Sequence, residues 1–162
     1  MGTEKIKYFI LLFFLVSCNT NKDFKPTVKL DSILNNEKSK KGYDAFRLDN
    51  VYLVLGIEKK QSFIKFSKET TIDNLILMTE CEKPIVRCFA FKVLVEKDYS
   101  KIRELLLKHR NDNEYLDVYH PPCTRMNEMV KSYMLKQLDP FSNNKMKFDR
   151  VEYDQIFADF FK

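Results

Sequence analysis

The sequence predicts an all-α fold, a compact bundle of short helices that follows an N-terminal segment outside the fold. Three observations predict it. Apolar residues recur at helical spacing in several separate segments of the chain. Short polar turns that contain Pro, Asn or Asp separate these segments. The 162 residues include only three glycines and no low-complexity tract, so little of the chain is left for long linkers.

The N-terminus has the layout of an export signal. Lys5 and Lys7 precede an uninterrupted apolar run from Tyr8 to Val16, and Ser17 and Cys18 follow it. The run is too short to span a bilayer, which needs about 20 apolar residues. A basic start, an apolar middle and small residues at the end are typical of a secretory signal peptide.

The last four residues of this signal, Leu15–Cys18, resemble the lipobox of bacterial lipoproteins. The resemblance implies cleavage before Cys18 and lipidation of its sulfur by diacylglycerol, so that acyl chains hold the protein on a membrane. The signal peptide would then be residues 1–17. Because the following residues are polar, we expect a tether at residues 18–26 and a domain at residues 27–162. The alternative is an ordinary signal peptide, or an uncleaved anchor, in which Cys18 has no role.

Position 19 indicates which membrane would hold the protein, and the charge pattern indicates whether it would bind nucleic acid. Asn19 replaces the aspartate that resembles an inner-membrane retention signal in many Gram-negative bacteria, which favours the outer membrane of the cell envelope. The formal net charge of +5 falls to +4 without the signal, because Glu4, Lys5 and Lys7 leave with it. Lys and Glu are otherwise interspersed, which gives no basic footprint for nucleic acid. We therefore expect a membrane partner and no nucleic-acid partner.

The stretch Pro84–Glu96 gives the strongest helix prediction, and we expect it to be the central buried helix. Pro84 suits the first turn of a helix, where its missing N–H is no loss. Apolar residues cover most of the circumference, and a helix of this kind is normally covered on more than one side. Val, Ile and Phe also favour strands, but the length of the stretch and the Pro at its start favour a helix.

Four helices are expected before the central helix. The second is ambiguous, because its apolar residues suit a strand as well as a helix, and we favour a helix because its neighbours are helical. The fourth has a clear start, since Thr70-Thr71 followed by Asp73 is typical of the first residues of a helix. The polar segment Asn35–Gly42 is expected to break the chain between the first two. The predicted ranges are Val28–Leu34, Tyr43–Ile57, Gln61–Phe66 and Ile72–Thr79.

Three helices are expected after the central helix. Asp98, Thr124 and Asp149 are expected to cap them, because Asp and Thr are favoured at the N-cap position. The segment Glu114–Pro122, with two prolines at its end, is expected to be an irregular insert. The predicted apolar faces are Ile102, Leu105, Leu106 and His109 in the first helix; Met126, Met129, Val130, Tyr133, Met134 and Leu138 in the second; and Tyr153, Ile156, Phe157, Phe160 and Phe161 in the third.

The segment Leu75–Leu107 resembles a HEAT-type repeat. A first helix ends near Thr79, a turn follows, and Arg87 then precedes Ala90 and Leu94 at the spacing of the second HEAT helix. The pattern is also similar to that of small HEAT-like lipoproteins from Bacteroidetes. The resemblance implies a compact α-α superhelix, a degenerate HEAT-like helical bundle.

Two departures from the HEAT pattern explain why the bundle is expected to be degenerate. The turn holds Glu82-Lys83 where the repeats usually carry an aspartate or asparagine. No second copy of the motif occurs at a period of about 30–45 residues, which a regular solenoid needs.

Arg87 is the charged residue of most interest on the central helix. The HEAT resemblance implies that it bonds to acidic or carbonyl groups of neighbouring turns, a structural role. The alternative is a role in partner binding, as an arginine that binds an anion or a carboxylate in a groove.

The cysteine and histidine residues do not by themselves predict a disulfide framework or a metal site. Besides Cys18 the chain has Cys81, Cys88 and Cys123, an odd set that cannot all pair internally. Cys88 is expected to be a buried small residue, and a bond between Cys81 and Cys123 remains open. His120 and Cys123 are too few ligands for zinc, which needs three or four. We expect no metal and no cofactor, and we expect two acidic pairs, Asp112/Glu114 and Asp149/Glu152, to be solvated caps.

The function expected from these features is binding rather than catalysis. No phosphate-binding loop and no hydrolase or metalloprotease motif occurs, so we expect no enzyme. Fold-level analogy favours a lipid-anchored envelope protein that binds a protein or peptide partner on a concave helical face. An immunity or inhibitor lipoprotein for one cognate protein is the first alternative, and an enzyme that uses Cys123, His120 or His109 is the second. The aromatic face of the last helix either closes the bundle, which we favour, or is an exposed patch for a partner.

Overall fold

A computed structural model of the chain describes residues 22–46, 53–54, 60–120 and 124–162. The expected signal peptide and Cys18 lie outside these residues, as does Cys123.

Helices predominate in the described residues, which confirms the coarse prediction, but a small sheet is present as well. The helices are α1 (Leu30–Asn35), α2 (Glu37–Phe46), α3 (Gln61–Glu69), α4 (Ile72–Thr79), α5 (Pro84–Glu96), α6 (Ile102–Lys108), α7 (Val130–Lys136) and α8 (Arg150–Phe160). The strands are β1 (Leu53–Val54), β2 (Tyr115–His120) and β3 (Thr124–Met129). None of the described helices is long and apolar enough to cross a membrane.

Helix α5 is the centre of the fold, as its sequence predicts. It begins at Pro84 and ends at Glu96, and nine of its 13 residues are buried. Helices α4 and α7 both pack against it, so it is covered on more than one side. Full burial of each large apolar side chain stabilises the fold by about 1.5–3 kcal/mol. The α-α superhelix and the HEAT-like arrangement stay predictions.

The end of α5 corrects one predicted cap. Asp98 does not cap α6, whose first residue is Ile102 and whose N-cap is Lys101. Asp98 instead has a positive φ of 53°, directly after the last turn of α5. The Tyr99 N–H donates to the Leu94 carbonyl at 3.0 Å and the Asp98 N–H donates to the Val95 carbonyl at 3.1 Å. This pair of bonds is a Schellman motif, and Asp tolerates its left-handed position better than most residues.

Two other predicted helix starts are confirmed. The Thr71 side chain accepts a hydrogen bond from the Asn74 N–H at the start of α4. The Asp149 side chain accepts one from the Glu152 N–H at the start of α8, at 2.8 Å. Each bond satisfies a backbone donor that the first turn of a helix leaves free.

The prediction for the segment before α3 was wrong in two places. Residues expected to break the chain, Asn35–Gly42, lie largely in α1 and α2. Asn36 explains this, because its side-chain oxygen accepts from the backbone N–H groups of Lys38 and Ser39 at 3.1 and 3.2 Å and so caps α2. Further on, Leu53 and Val54 form β1 rather than the favoured helix.

The segment after α6 is a β-hairpin, which corrects the predicted irregular insert and the predicted helix start at Thr124. Strand β2 pairs antiparallel with β3, from Tyr115 opposite Met129 to His120 opposite Thr124. Strand β1 pairs parallel with β2 on the other side, so the strand order is β1-β2-β3. Buried Leu116 and Val118 alternate with more exposed neighbours in β2, a period-two pattern that is typical of a strand.

Residues 22–28 form a strap that lies along the domain, although they overlap the expected tether. The N–H groups of Thr27 and Val28 both donate to the Glu80 carbonyl, at 3.1 and 3.0 Å. The Glu82 N–H donates to the Val28 carbonyl at 2.8 Å, which gives a parallel bridge between Val28 and Cys81. The strap is therefore fixed to the turn that connects α4 to α5.

Candidate functional site

Arg87 lies at the centre of a buried polar network on α5. Its Nε and Nη2 atoms donate to the two carboxylate oxygens of Asp112, each at 2.9 Å. Nη2 also donates to Glu114 at 2.6 Å, and Nη1 donates to the Cys81 carbonyl at 2.7 Å. This bidentate arrangement is the strong form of an arginine–carboxylate pair. Each guanidinium nitrogen therefore has a partner inside the protein.

The partners of Arg87 correct the prediction for the Asp112/Glu114 pair. Asp112 is not a solvated cap, because its side chain is fully buried against Arg87. Glu114 is about half exposed and still binds Arg87. Burial alone would lower the pKa of Arg87, but the bonds and charges of Glu114 and Asp112 outweigh it and raise that pKa. The guanidinium stays charged and offers no exposed surface to a partner.

His109 and Phe24 complete the network. The Nδ1 atom of His109 lies 3.1 Å from the Oδ2 atom of Asp112, and the imidazole is fully buried. The Phe24 ring lies 4.3 Å from the His109 ring and 5.3 Å from the Arg87 guanidinium carbon. A phenyl face near a guanidinium is a favourable cation–π contact. The strap thus covers the network from the outside.

The described cysteines are poor nucleophiles. Cys81 and Cys88 are free and buried, and burial raises the pKa of both thiols, that of Cys88 strongly. The thiolate is the reactive form of cysteine, so a raised pKa disfavours catalysis by either residue. The predicted alternatives at Cys123 and at the His120 side chain lie outside the described residues. Within those residues, no group of three or more His, Cys, Asp and Glu is placed to hold a metal ion.

The aromatic face of α8 is divided between core and surface. Ile156 and Phe160 are buried and close the bundle, which was the favoured interpretation. Phe157 is 50% exposed and Phe161 is 39% exposed. Their ring centroids lie 4.8 Å apart, so they form one aromatic surface. The buried residues fit the interpretation that this face closes the bundle, and partner binding by the exposed residues stays a prediction.

The aromatic surface borders a groove of about 300 Å³ between β2, β3, α7 and Phe161, the residue that follows α8. We refer to it as the β3 groove. Two of its apolar side chains are more than half exposed, Tyr115 at 59% and Met126 at 53%. The residues that line it are Tyr115, Met126, Asn127, Glu128, Met129, Ser132, Lys136 and Phe161.

Polar contacts fix the walls of the β3 groove. The Lys131 ammonium donates to the Phe160 carbonyl at 2.8 Å and lies 4.9 Å from the Phe161 ring centroid. A cation at the C-terminal end of a helix is stabilising, so Lys131 holds the end of α8 against α7. Burial lowers the pKa of Lys131. Glu128 accepts from Ser132 at 2.9 Å and pairs with Lys136 at 2.5 Å.

Strand β3 forms one edge of the groove and of the sheet. Within the described residues it pairs with β2 alone, and most of its residues are exposed. The sequence prediction missed Tyr115 and Met126 as surface residues, because it placed them in an irregular insert and a helix. The alternation of apolar and polar residues from Tyr115 to Tyr119 was the signal that could have identified β2.

Comparisons of the chain with protein families, with curated proteins and with solved structures give no match.

Proposed function

We propose that the chain is a non-catalytic, lipid-anchored protein of the cell envelope that binds an extended segment of a protein partner in the β3 groove. The observation that carries the binding proposal is the exposed apolar lining of this groove. Met126 and Tyr115 are each more than half exposed, and both line the groove together with Phe161. Exposed apolar side chains that line a groove with a polar rim are typical of interaction sites.

The geometry of β3 favours an extended segment as the occupant. An edge strand presents backbone N–H and C=O groups to which a partner strand can bond. Alternate side chains of an added strand would point toward the groove. The polar rim is internally paired, since Glu128 bonds to Ser132 and Lys136. Recognition would therefore depend on apolar side chains of the partner more than on its charge.

The lipid anchor and the HEAT-like character of the domain are the other parts of the proposal. The lipobox resemblance at Leu15–Cys18 supports the anchor. The packing of α4 on α5 supports a HEAT-like pair. The bonds from Arg87 to Asp112 and to the Cys81 carbonyl fit the structural role that the resemblance implies.

Site-specific crosslinking in intact cells tests the binding proposal. A photoreactive side chain at Asn127, which is exposed and lines the groove, should capture a protein that mass spectrometry identifies. The Met126→Lys variant should lose this product, because it places a charge on the apolar lining. Phe141→Ser is the matched control, since Phe141 is 79% exposed and does not line the groove.

The outcomes separate the candidate functions. One cognate enzyme captured from the groove would favour the immunity or inhibitor role. Capture that survives Met126→Lys, or no captured protein at all, would contradict binding in the groove. The anchor is tested separately, because Cys18→Ala should move the protein from the membrane to the soluble fraction. A Cys18→Ala protein that stays in the membrane fraction would contradict the anchor.

A further inference from the structure

We propose that the face of the domain around the strap rests against the bilayer that holds Cys18. The proposal rests on the lipid anchor proposed above and adds an orientation to it. The partner of this face is a phospholipid surface.

The strap is fixed to the domain at both ends. At its start, the Asn111 side chain donates to the Lys22 carbonyl at 2.8 Å, and the Phe24 N–H donates to the Asn111 carbonyl at 3.3 Å. In its middle, the Phe24 ring covers Arg87 and His109. At its end, Val28 is bridged to Cys81. The chain between Cys18 and the domain is therefore much shorter than a tether that reaches to residue 26.

The remaining length limits how far the domain can move from the membrane. Three residues lie between Cys18 and Lys22 in the sequence, so four residue-to-residue steps join them, and four fully extended steps span at most about 14 Å. A helix of the length of α5 spans about 20 Å. The chain from Cys18 to Lys22 is thus shorter than the central helix. The face of the domain around the strap, which we refer to as the strap face, therefore stays near the lipid surface.

The start and the end of α5 define which residues lie near the strap and which lie far from it. The strap contacts the turn before Pro84 and the segment after α6, so this pole holds Glu80, Cys81 and Asn111. Helix α5 begins at Pro84, beside this pole, and ends at Glu96. The turn that follows α5, which includes Ser100, therefore lies about one helix length, or about 20 Å, from the residues that the strap contacts.

The orientation also restricts the partner of the β3 groove. A polar cavity of about 390 Å³ lies beside the strap, and Asp23, Asn111, Lys131 and Phe160 are among its lining residues. Phe161, the next residue after Phe160, lines the β3 groove. The groove therefore borders the strap face, and a partner bound there would be a protein segment close to the lipid surface.

Tryptophan quenching tests the orientation, because the chain contains no natural Trp. Two variants each introduce one Trp at an exposed position, Asn113→Trp beside the strap face and Ser100→Trp at the opposite pole. The full-length lipidated protein is reconstituted into phosphatidylcholine vesicles, with and without brominated acyl chains. Asn113→Trp should lose most of its emission in brominated vesicles, and Ser100→Trp should keep it. Circular dichroism confirms that both variants are folded.

Flotation of the vesicles distinguishes the failure of the anchor from the failure of the orientation. Protein that floats with the vesicles but shows equal quenching at both positions would overturn the orientation and leave the anchor intact. Stronger quenching of Ser100→Trp would reverse the proposed face. Protein that does not float would overturn the anchor and the orientation together.

Discussion

Replacement of Arg87 by methionine should destabilise the fold by about 3–5 kcal/mol, the range typical of breaking a buried ion pair. Methionine fills part of the volume but removes all three donor nitrogens. Asp112 then stays buried without its bidentate partner, and the Cys81 carbonyl loses its bond at 2.7 Å. Glu114 is half exposed and its side chain can rotate into water, so the loss of its bond to Arg87 adds little to the destabilisation.

The expected loss is large relative to the stability of a domain, which is about 5–15 kcal/mol in total. Urea unfolding followed by far-ultraviolet circular dichroism measures it, since the chain has no Trp to report on unfolding. Arg87→Lys should also destabilise the fold, because an ammonium keeps the charge but not the fork that binds both carboxylate oxygens. Arg150→Met is the matched control, since Arg150 and its partner Asp154 are exposed, and it should change stability little.

A double variant tests whether the stranded carboxylate is the cause. Arg87→Met with Asp112→Leu removes both charges, and the combined cost should be well below the sum of the two single costs. Additive costs would refute the coupling between the two residues. A cost of about 1 kcal/mol or less for Arg87→Met would refute the buried-pair reasoning altogether.

Three further predictions concern packing, pH and thiol chemistry. Gly42→Ala should destabilise the protein by about 1–3 kcal/mol in urea unfolding, because the new Cβ would lie 2.2 Å from the Thr70 hydroxyl oxygen. Addition of Thr70→Ala to Gly42→Ala should recover much of the lost stability. No recovery would show that the contact with Thr70 is not the cause of the loss. The hydrogen bond from Arg125 lowers the pKa of Asp117. The contribution of this ion pair to hairpin stability is therefore fully present above the ordinary carboxyl pKa, and it is lost as pH falls through the lowered pKa of Asp117. In a titration followed by nuclear magnetic resonance, Asp117 should titrate below an unpaired aspartate, and Arg125→Ala should remove the difference; an unchanged titration would contradict the pair. Burial raises the pKa of the Cys88 thiol, so a variant with Cys88 as its sole cysteine should react with Ellman's reagent only as fast as it unfolds. Rapid reaction of the folded protein would contradict the burial.

The elements that the sequence determined are those whose signals act within one helical turn. Pro84, in the first turn of α5, has no backbone N–H that needs a partner. The side chains of Thr71 at α4 and Asp149 at α8 each accept a hydrogen bond from a nearby backbone N–H. Such contacts depend on residues two to four positions apart, so the sequence specifies them without knowledge of the fold. The apolar face of α6 is of the same kind, since Ile102, Leu105 and Leu106 are buried as predicted.

The hairpin and the Arg87 network depend on residues that are distant in sequence. Thr124–Met129 has few strand-forming residues, and it is a strand because β2 supplies its hydrogen-bond partners. Strand propensities span only about 1 kcal/mol, so pairing and packing override them. The acidic partner of Arg87 is 25 residues away, and a search for local patterns cannot single out Asp112 among the other carboxylates.

The sequence by itself determined where the central helix begins and ends, that Thr71 and Asp149 cap two other helices, and that the N-terminus resembles a lipidated export signal. The tertiary structure alone decided that Asp112 is buried, that Phe24 covers Arg87, and that Met126 faces a groove at the surface. The physical reason is the range of the interactions. Capping and helical periodicity act between near neighbours, whereas ion pairing, strand pairing and burial depend on which distant segments the fold brings together.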